Sequence, residues 1–181
     1  EYNFEKENIC VLYDADATKA NIIDELENLR KKIGERDSLL IYYSGHGWMQ
    51  KDTERGFWIP VDAKKDRKSS FIANAELKDI IAAIQAHHIL LISDSCFSAS
   101  LLTRDVSGVI GDAFKDWMRS PSRWAFVSGK GPVSDGENGE NSPFAEGIIS
   151  QLKNNDIDAI NIGRLANEVT QLVRYNNKQM A

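Results

Sequence analysis

Two stretches decide the fold: Ser38-Leu39-Leu40-Ile41-Tyr42-Tyr43-Ser44-Gly45-His46-Gly47 and His88-Ile89-Leu90-Leu91-Ile92-Ser93-Asp94-Ser95-Cys96. Each is a nearly continuous apolar run, too short for an ordinary helix, that gives way abruptly to small and polar residues. That pattern predicts buried strands over Ser38–Ser44 and His88–Ser93, of the kind a parallel sheet covered on both faces contains. Working outward, Ile9–Tyr13 reads as another buried strand, with Cys10 an inert core residue inside it, and Trp124–Ser128 as a further short one. Between them lie helical patterns. Ala17–Ile33 puts Ile22, Ile23, Leu26, Leu29 and Ile33 on one face, with Thr18 or Asp16 as its cap and Gly34 at its end. Ala75–Ala86 turns Leu77, Ile80, Ile81 and Ile84 inward, and two more helices are predicted near Pro143–Lys153 and Ile162–Tyr175. Phe57–Val61 reads as part of a short hairpin stopped by Pro60. Strands alternating with amphipathic helices make an α/β sandwich with a mostly parallel central sheet and helices on both faces.

Composition narrows the function classes. The chain has 181 residues, 42% of them apolar and 27% charged, which is ordinary globular usage for a single domain. With 12 glycines and 4 prolines it is no low-complexity chain. The net charge of −5 argues against a nucleic-acid groove or an anionic membrane surface as the main partner. No apolar run is long enough to cross a bilayer, and nothing at the start reads as a signal peptide. Two cysteines far apart in sequence form neither a disulfide framework nor a zinc-ligand spacing. A reducing, cytoplasmic setting is expected. The chain opens on Glu1 rather than Met, and is expected to be a segment of a longer polypeptide.

In an open parallel sheet, ligands bind beyond the carboxyl ends of the strands. Two such ends carry reactive groups here: His46 follows Ser38–Ser44, and Cys96 follows His88–Ser93. If those strands are neighbours, imidazole and thiol face one crevice. A free thiol is only a few per cent thiolate at neutral pH, and a histidine within reach makes it a competent nucleophile. Gly45 and Gly47 leave room for a substrate backbone, and the amides of Gly47 and Cys96 are candidate oxyanion donors. His87 and His88 read as ordinary residues at the start of a strand. Taken singly, a Gly-His-Gly turn or a cysteine beside an apolar strand means little; both at strand ends make the parts of a cysteine acyl-transfer enzyme.

The motifs Tyr42-Tyr43-Ser44-Gly45-His46-Gly47 and Asp94-Ser95-Cys96-Phe97-Ser98 resemble the catalytic signature of the caspase-like cysteine peptidases. The resemblance is closer to the metacaspase and bacterial caspase-like branch than to animal caspases. The histidine lies about 50 residues upstream of the cysteine, as in caspases. Gly56–Ala63, Leu90–Cys96 and Ser142-Pro143-Phe144-Ala145 are similar to bacterial members, so the likeness runs from about residue 11 to the C-terminal helix. The resemblance implies a caspase-like three-layer sandwich over 1–181, with Cys96 as nucleophile, His46 as its base or imidazolium partner and Gly47 as oxyanion donor.

It also implies a specificity. Animal caspases, which cut after Asp, have glutamine two residues before the nucleophile. This chain has Asp94 there, as metacaspases do, whose matching acid pairs with an Arg or Lys side chain. A carboxylate at the floor of a cleft repels an acidic substrate and receives a guanidinium bidentately. Ser44 matches another position lining that pocket, and Asp135 falls where a second pocket acid is expected. The implied partner is a protein or peptide with Arg or Lys before the scissile bond, together with further domains or a regulatory partner. No cofactor is expected, although some metacaspases need calcium; Asp135–Glu140 reads as a solvated acidic loop rather than a calcium site. Arg104, Lys115, Arg119 and Arg123, in an irregular stretch over 98–123, are candidate self-cleavage sites.

Three departures from the family pattern accompany the likeness. Ala99 replaces the usual Gly after the nucleophile loop, the family's first strand and helix have no counterpart before Ile9, and its final strand is missing after Tyr175. The rival reading from another class is a catalytically silent caspase-like interaction module, against which the intact His46 and Cys96 stand. A nucleotide-binding domain is poorly supported, because Ser128-Gly129-Lys130-Gly131 lacks phosphate-loop spacing.

Overall fold

A computed structural model describes residues 4–96, 101, 121–128, 140–155 and 160–179. The chain divides into two compact units. One runs from Cys10 to Pro132, and the other joins Glu1–Ile9 to Val133–Ala181.

In the first unit, helix α1 (Lys19–Lys32) starts where Thr18 caps it, its hydroxyl accepting from the Asn21 amide at 3.2 Å. Arg30, Lys31 and Lys32 in its last turn suit the negative end of the helix dipole. Strands β1 (Ser38–Ser44), β5 (His88–Asp94) and β6 (Ser122–Val127) form a parallel sheet in the order β1-β5-β6. Between β1 and β5 the chain makes a small antiparallel sheet of β2 (Gly47–Gln50), β3 (Arg55–Trp58) and β4 (Ile72–Ala73), and then helix α2 (Asn74–Ala82). The hairpin expected at Phe57–Val61 therefore forms two residues earlier, with Pro60 outside it.

Strand period two sorts the side chains of β1. Ile41 and Tyr43 pack on a core of Leu26 from α1, Trp58 from β3, Ile72 from β4, Leu77 from α2, and Leu91 and Leu101. Leu39 packs beside Ile84, Ala86 and Ile89. The alternate residues Leu40 and Tyr42 are 44% and 50% exposed. Lys19 ties the start of α1 to the segment before α2. Its amide donates to Asp62 Oδ1 at 2.9 Å, and its Nζ donates to the carbonyls of Ser69 and Phe71 at 3.1 and 2.8 Å.

Ile9–Tyr13 is not a buried strand. It is extended between two 3-10 turns, with Ile9, Val11 and Tyr13 all exposed, and Cys10 is exposed rather than a core residue. An extended run becomes a strand only by sharing hydrogen bonds with a neighbour, and no described residue pairs with this one. Arg123 departs from expectation too. It lies within β6, and its guanidinium donates to the carbonyls of His87, Ser122 and Ile84 at 2.9–3.2 Å, so it does not belong to an irregular, cleavable stretch. Arg104, Lys115 and Arg119 lie outside the described residues.

The second unit is built on helices α3 (Pro143–Lys153) and α4 (Ile162–Gln179). Ser142 caps α3 by accepting from the Ala145 amide at 3.0 Å, with Pro143 in the first turn. Gly147 lets the two helices approach closely: a Cβ there would lie 3.1 Å from Val169 Cγ1. Among the described residues no helix is long and apolar enough to cross a membrane.

Candidate functional site

The parallel register of β1 and β5 pairs Tyr43 with Ser93 and Ser44 with Asp94. Both strands stop at that level, so His46 and Cys96, each two residues further on, emerge side by side from neighbouring strands spaced about 4.8 Å apart. The Gly45 amide donates to the Asp94 carbonyl at 3.3 Å and prolongs the tie past the strand ends. His46 is exposed and Cys96 half-buried, so the imidazole is the more open to solvent of the two.

The turn holding His46 is fixed through its carbonyl, which accepts from the Ile59 amide at 3.0 Å and from the Tyr43 hydroxyl at 2.9 Å. Burial pushes the Tyr43 phenol up to about 12, partly opposed by a hydrogen bond to the Ile59 backbone, so the hydroxyl keeps the proton it donates. The bond from Ile59 to His46 also defines the β2–β3 ladder. It makes Gly47 and Trp58 a non-hydrogen-bonded pair, which turns the Gly47 amide away from β3. Gly47 lies flat against the cysteine turn: a Cβ there would overlap the Cys96 carbonyl oxygen and come within 3.0 Å of its carbon.

The turn holding Cys96 is fixed from the other side. The Ser95 amide donates to Ser128 Oγ at 3.1 Å, and the Ser128 hydroxyl donates to the Ser95 carbonyl at 3.3 Å. The Ser128 amide donates to the Ser93 carbonyl at 3.1 Å. Below, the Ser93 and Ser95 hydroxyls share a hydrogen bond of 3.0 Å, and Trp58 Nε1 donates to Ser93 Oγ at 3.2 Å.

Asp94 is 6% exposed, at the carboxyl end of β5. Paired residues of a parallel sheet point to the same face, so Asp94, Ser44 and Tyr42 share one face, opposite Tyr43 and Ser93. Electrostatics agrees. The Tyr42 phenol is raised by burial and then by the Asp94 negative charge, against a lowering hydrogen bond with Ser44. Tyr42 was not among the expected site residues, although alternation along β1 already placed it two residues from Ser44 on that face. Trp58 was missed as well, because no spacing in the sequence ties it to the histidine or the cysteine. Asp135 lies outside the described residues. His87 and His88 sit at the other end of β5, where the His88 ring meets the Ser122 hydroxyl at 2.8 Å. Cys10 has a raised thiol pKa, from desolvation first and then from the hydrogen bond and charge of Glu25, which disfavours its thiolate. Among the described residues, no group of three or more His, Cys, Asp or Glu is arranged to hold a metal ion.

Chemically, the arrangement sets a thiol and an imidazole at one sheet edge, a glycine amide turned out of its ladder beside them, and a buried carboxylate at the base of the same edge. Comparison with known proteins gives this arrangement a family. The sequence profile of the caspase domain matches residues 2–181. A metacaspase of Arabidopsis thaliana, Metacaspase-4, is 30% identical over 128 residues, covering 63% of this chain and 29% of its own length. Metacaspase III c of Phaeodactylum tricornutum is 28% identical over 115 residues, covering 56% of this chain and 33% of its own. The chain thus spans about a third of the curated relatives it matches. A crystal structure of a protein from Geobacter sulfurreducens superposes with a TM-score of 0.39 at 26% identity, covering 47% of this chain and 33% of that one.

Proposed function

From the membership of this chain in the caspase-domain family, we propose that it is a cysteine endopeptidase cutting after Arg or Lys, with Cys96 as nucleophile and His46 as its acid–base partner. The observation that carries the reading is the register of β1 and β5, which brings both residues out at one level, with Gly47 against the Cys96 backbone.

The steps follow from the positions. His46 takes the Cys96 proton, and the thiolate attacks the scissile carbonyl carbon to form a tetrahedral oxyanion. The Gly47 amide donates to that oxyanion. The imidazolium returns its proton to the leaving amine as the C–N bond breaks, and leaves a thioester on Cys96. Water, deprotonated by His46, hydrolyses the thioester and releases the acid product and the thiol.

Specificity rests on Asp94. A substrate guanidinium or ammonium brought to a buried carboxylate is attracted through a weakly screening medium, and a substrate carboxylate is repelled through the same medium. Ser44 is proposed to line the same pocket. Further domains or a regulatory partner and a cytoplasmic setting belong to the same proposal, with no cofactor in the reaction.

The test is a panel of peptides differing only before the scissile bond (Arg, Lys, Asp, Ala), with and without calcium, beside Cys96→Ala. Turnover of Arg or Lys peptides that vanishes in Cys96→Ala supports the reading. A preference for Asp removes the role of Asp94 and keeps the mechanism. If no peptide turns over and a thiol-reactive peptide probe leaves Cys96 unlabelled, the chain is a silent interaction module instead.

A further inference from the structure

Trp58 belongs to neither reactive turn, yet it touches the support of both. Its ring stacks on Tyr43, with centroids 3.9 Å apart and planes at 7°. Tyr43 in turn holds the His46 carbonyl. The Trp58 Nε1–H donates to Ser93, which is bonded through its hydroxyl to Ser95, beside Cys96. Tyr43 and Ser93 are register partners, each three residues before the reactive side chain of its own strand. Across the β2–β3 ladder Trp58 faces Gly47, the residue pressed on the Cys96 carbonyl. We propose that Trp58 is a positioning residue that sets the His46 turn and the Cys96 turn relative to each other.

The chemistry gives the clasp a direction. Indole nitrogen only donates, so Ser93 Oγ must accept from Trp58. That leaves the Ser93 hydroxyl its own O–H and one lone pair, and the Ser95 hydroxyl is the partner at 3.0 Å. Trp58, Ser93 and Ser95 are 3%, 0% and 2% exposed, so water does not compete for these bonds. In such surroundings an unmade bond leaves a buried donor or acceptor orphaned, and the network holds one geometry rather than several. Rigid support of this kind matters because acyl transfer is sensitive to small displacements of the reacting groups.

The functional consequence rests on the peptidase reading above, so the experiment carries two readouts. In the whole protein, kcat and KM are measured on an Arg peptide, and the alkylation rate of Cys96 by iodoacetamide is followed from pH 5 to 9. The variants are Trp58→Phe, Ser93→Ala, their combination, and Leu77→Val as a core change of similar stability cost. Trp58→Phe is expected to lower kcat and slow alkylation by about tenfold, the loss of one buried hydrogen bond, with KM within about twofold. Leu77→Val should leave both readouts within about twofold at a comparable fall in Tm. Ser93→Ala should slow alkylation severalfold alone and by less than about twofold when Trp58 is already Phe, because the shared bond is gone.

Full multiplication of the two effects would overturn the proposal, as would equal slowing by Leu77→Val. A wild-type protein that alkylates at Cys96 yet cleaves no peptide overturns the peptidase reading alone, and the alkylation cycle still decides the role of Trp58. If Trp58→Phe does not fold, replacing Trp58 by benzothienylalanine, which keeps the fused ring and lacks the N–H donor, closes the same cycle with Ser93→Ala, with the same non-multiplicative result expected.

Discussion

Gly47→Ala is the sharpest single perturbation of the candidate site. The added Cβ overlaps the Cys96 carbonyl oxygen and lies 3.0 and 3.3 Å from the Cys96 carbonyl carbon and amide nitrogen. All three are backbone atoms, so no side chain can swing aside. Either the start of β2 or the Cys96 turn must move, by an amount on the order of 1 Å for ordinary van der Waals contact. Both are tethered: β2 by the His46 carbonyl bonded to Ile59 and Tyr43, the cysteine turn by Ser95 bonded to Ser128. Overpacking a tethered contact costs about 1–3 kcal/mol, a fall in Tm of roughly 2–12 °C for a chain of this length. A displacement of about 1 Å between reacting groups costs about a hundredfold in rate. Circular-dichroism melting and kcat/KM on an Arg peptide, with Cys96 alkylation as a second readout, test both figures. Gly45→Ala is a milder comparison. Its Cβ would meet the Tyr43 hydroxyl at 2.9 Å and Cζ at 3.1 Å, side-chain rather than backbone atoms, and should cost the bond that holds the His46 turn, about 1 kcal/mol. A Gly47→Ala protein with unchanged Tm and activity within about twofold of wild type would refute the contact between Gly47 and the cysteine turn.

Three further outcomes are expected. Tyr43 is raised from 10.0 to about 12, so its protonated form is favoured in the fold; the stability this contributes is complete below pH 10 and is lost as pH rises through about 12. Urea unfolding at several alkaline pH values should show wild type losing on the order of 2 kcal/mol more than Tyr43→Phe across that window. Asp94→Asn should lower kcat/KM on Arg peptides at least about thirtyfold while affecting an Ala peptide far less. The same variant should bring the Tyr42 phenol down toward its ordinary range, read by ultraviolet titration against Tyr42→Phe. Lys19→Ala removes two charge-assisted bonds to the Ser69 and Phe71 carbonyls and should cost about 1–3 kcal/mol in the same unfolding assay.

The sequence was most legible where local pattern and tertiary need coincide. β1 and β5 form where their apolar runs put them, but only β5 is covered along its length. On β1, the edge strand among the described residues, burial alternates, with Leu40 and Tyr42 exposed, so Ser38–Ser44 is not the fully buried strand its run predicts. Helix α1 was legible from its spacing and its Thr18 cap. Ile9–Tyr13 carries the same apolar signal and forms no strand, since composition records a preference to be buried and not the presence of a partner to pair with. The predicted Ala75–Ala86 helix ends at Ala82, although Ile84 stays buried at 1%: inward packing outlasts the helix, and periodicity cannot register that difference. At the proposed site, the placement of His46 and Cys96 just beyond two neighbouring strand ends was legible from the apolar runs that precede them. Trp58 was not, because its importance lies in joining two segments far apart in sequence, and no local pattern encodes such a contact.

The division of labour between the two faces of the sheet follows from a period of two and one register. Tyr43 and Ser93 point into the core, where Trp58 can reach both, and they can only support the reactive turns. Ser44 and Asp94, one residue on, point the other way, to the face where Tyr42 is half exposed and Asp94 is itself buried. Shifting β5 by one residue would put a carboxylate against Trp58, and shifting β1 by one would turn the Tyr43 ring out of the core. On the proposed function, the same alternation that lets β1 and β5 bury a core would also separate support from recognition. It follows that substitutions at 43 and 93 should act on the rate for every peptide alike, whereas substitutions at 44 and 94 should change which peptide is preferred. A Ser93→Ala variant that altered the ranking of Arg, Lys, Asp and Ala peptides would contradict that separation.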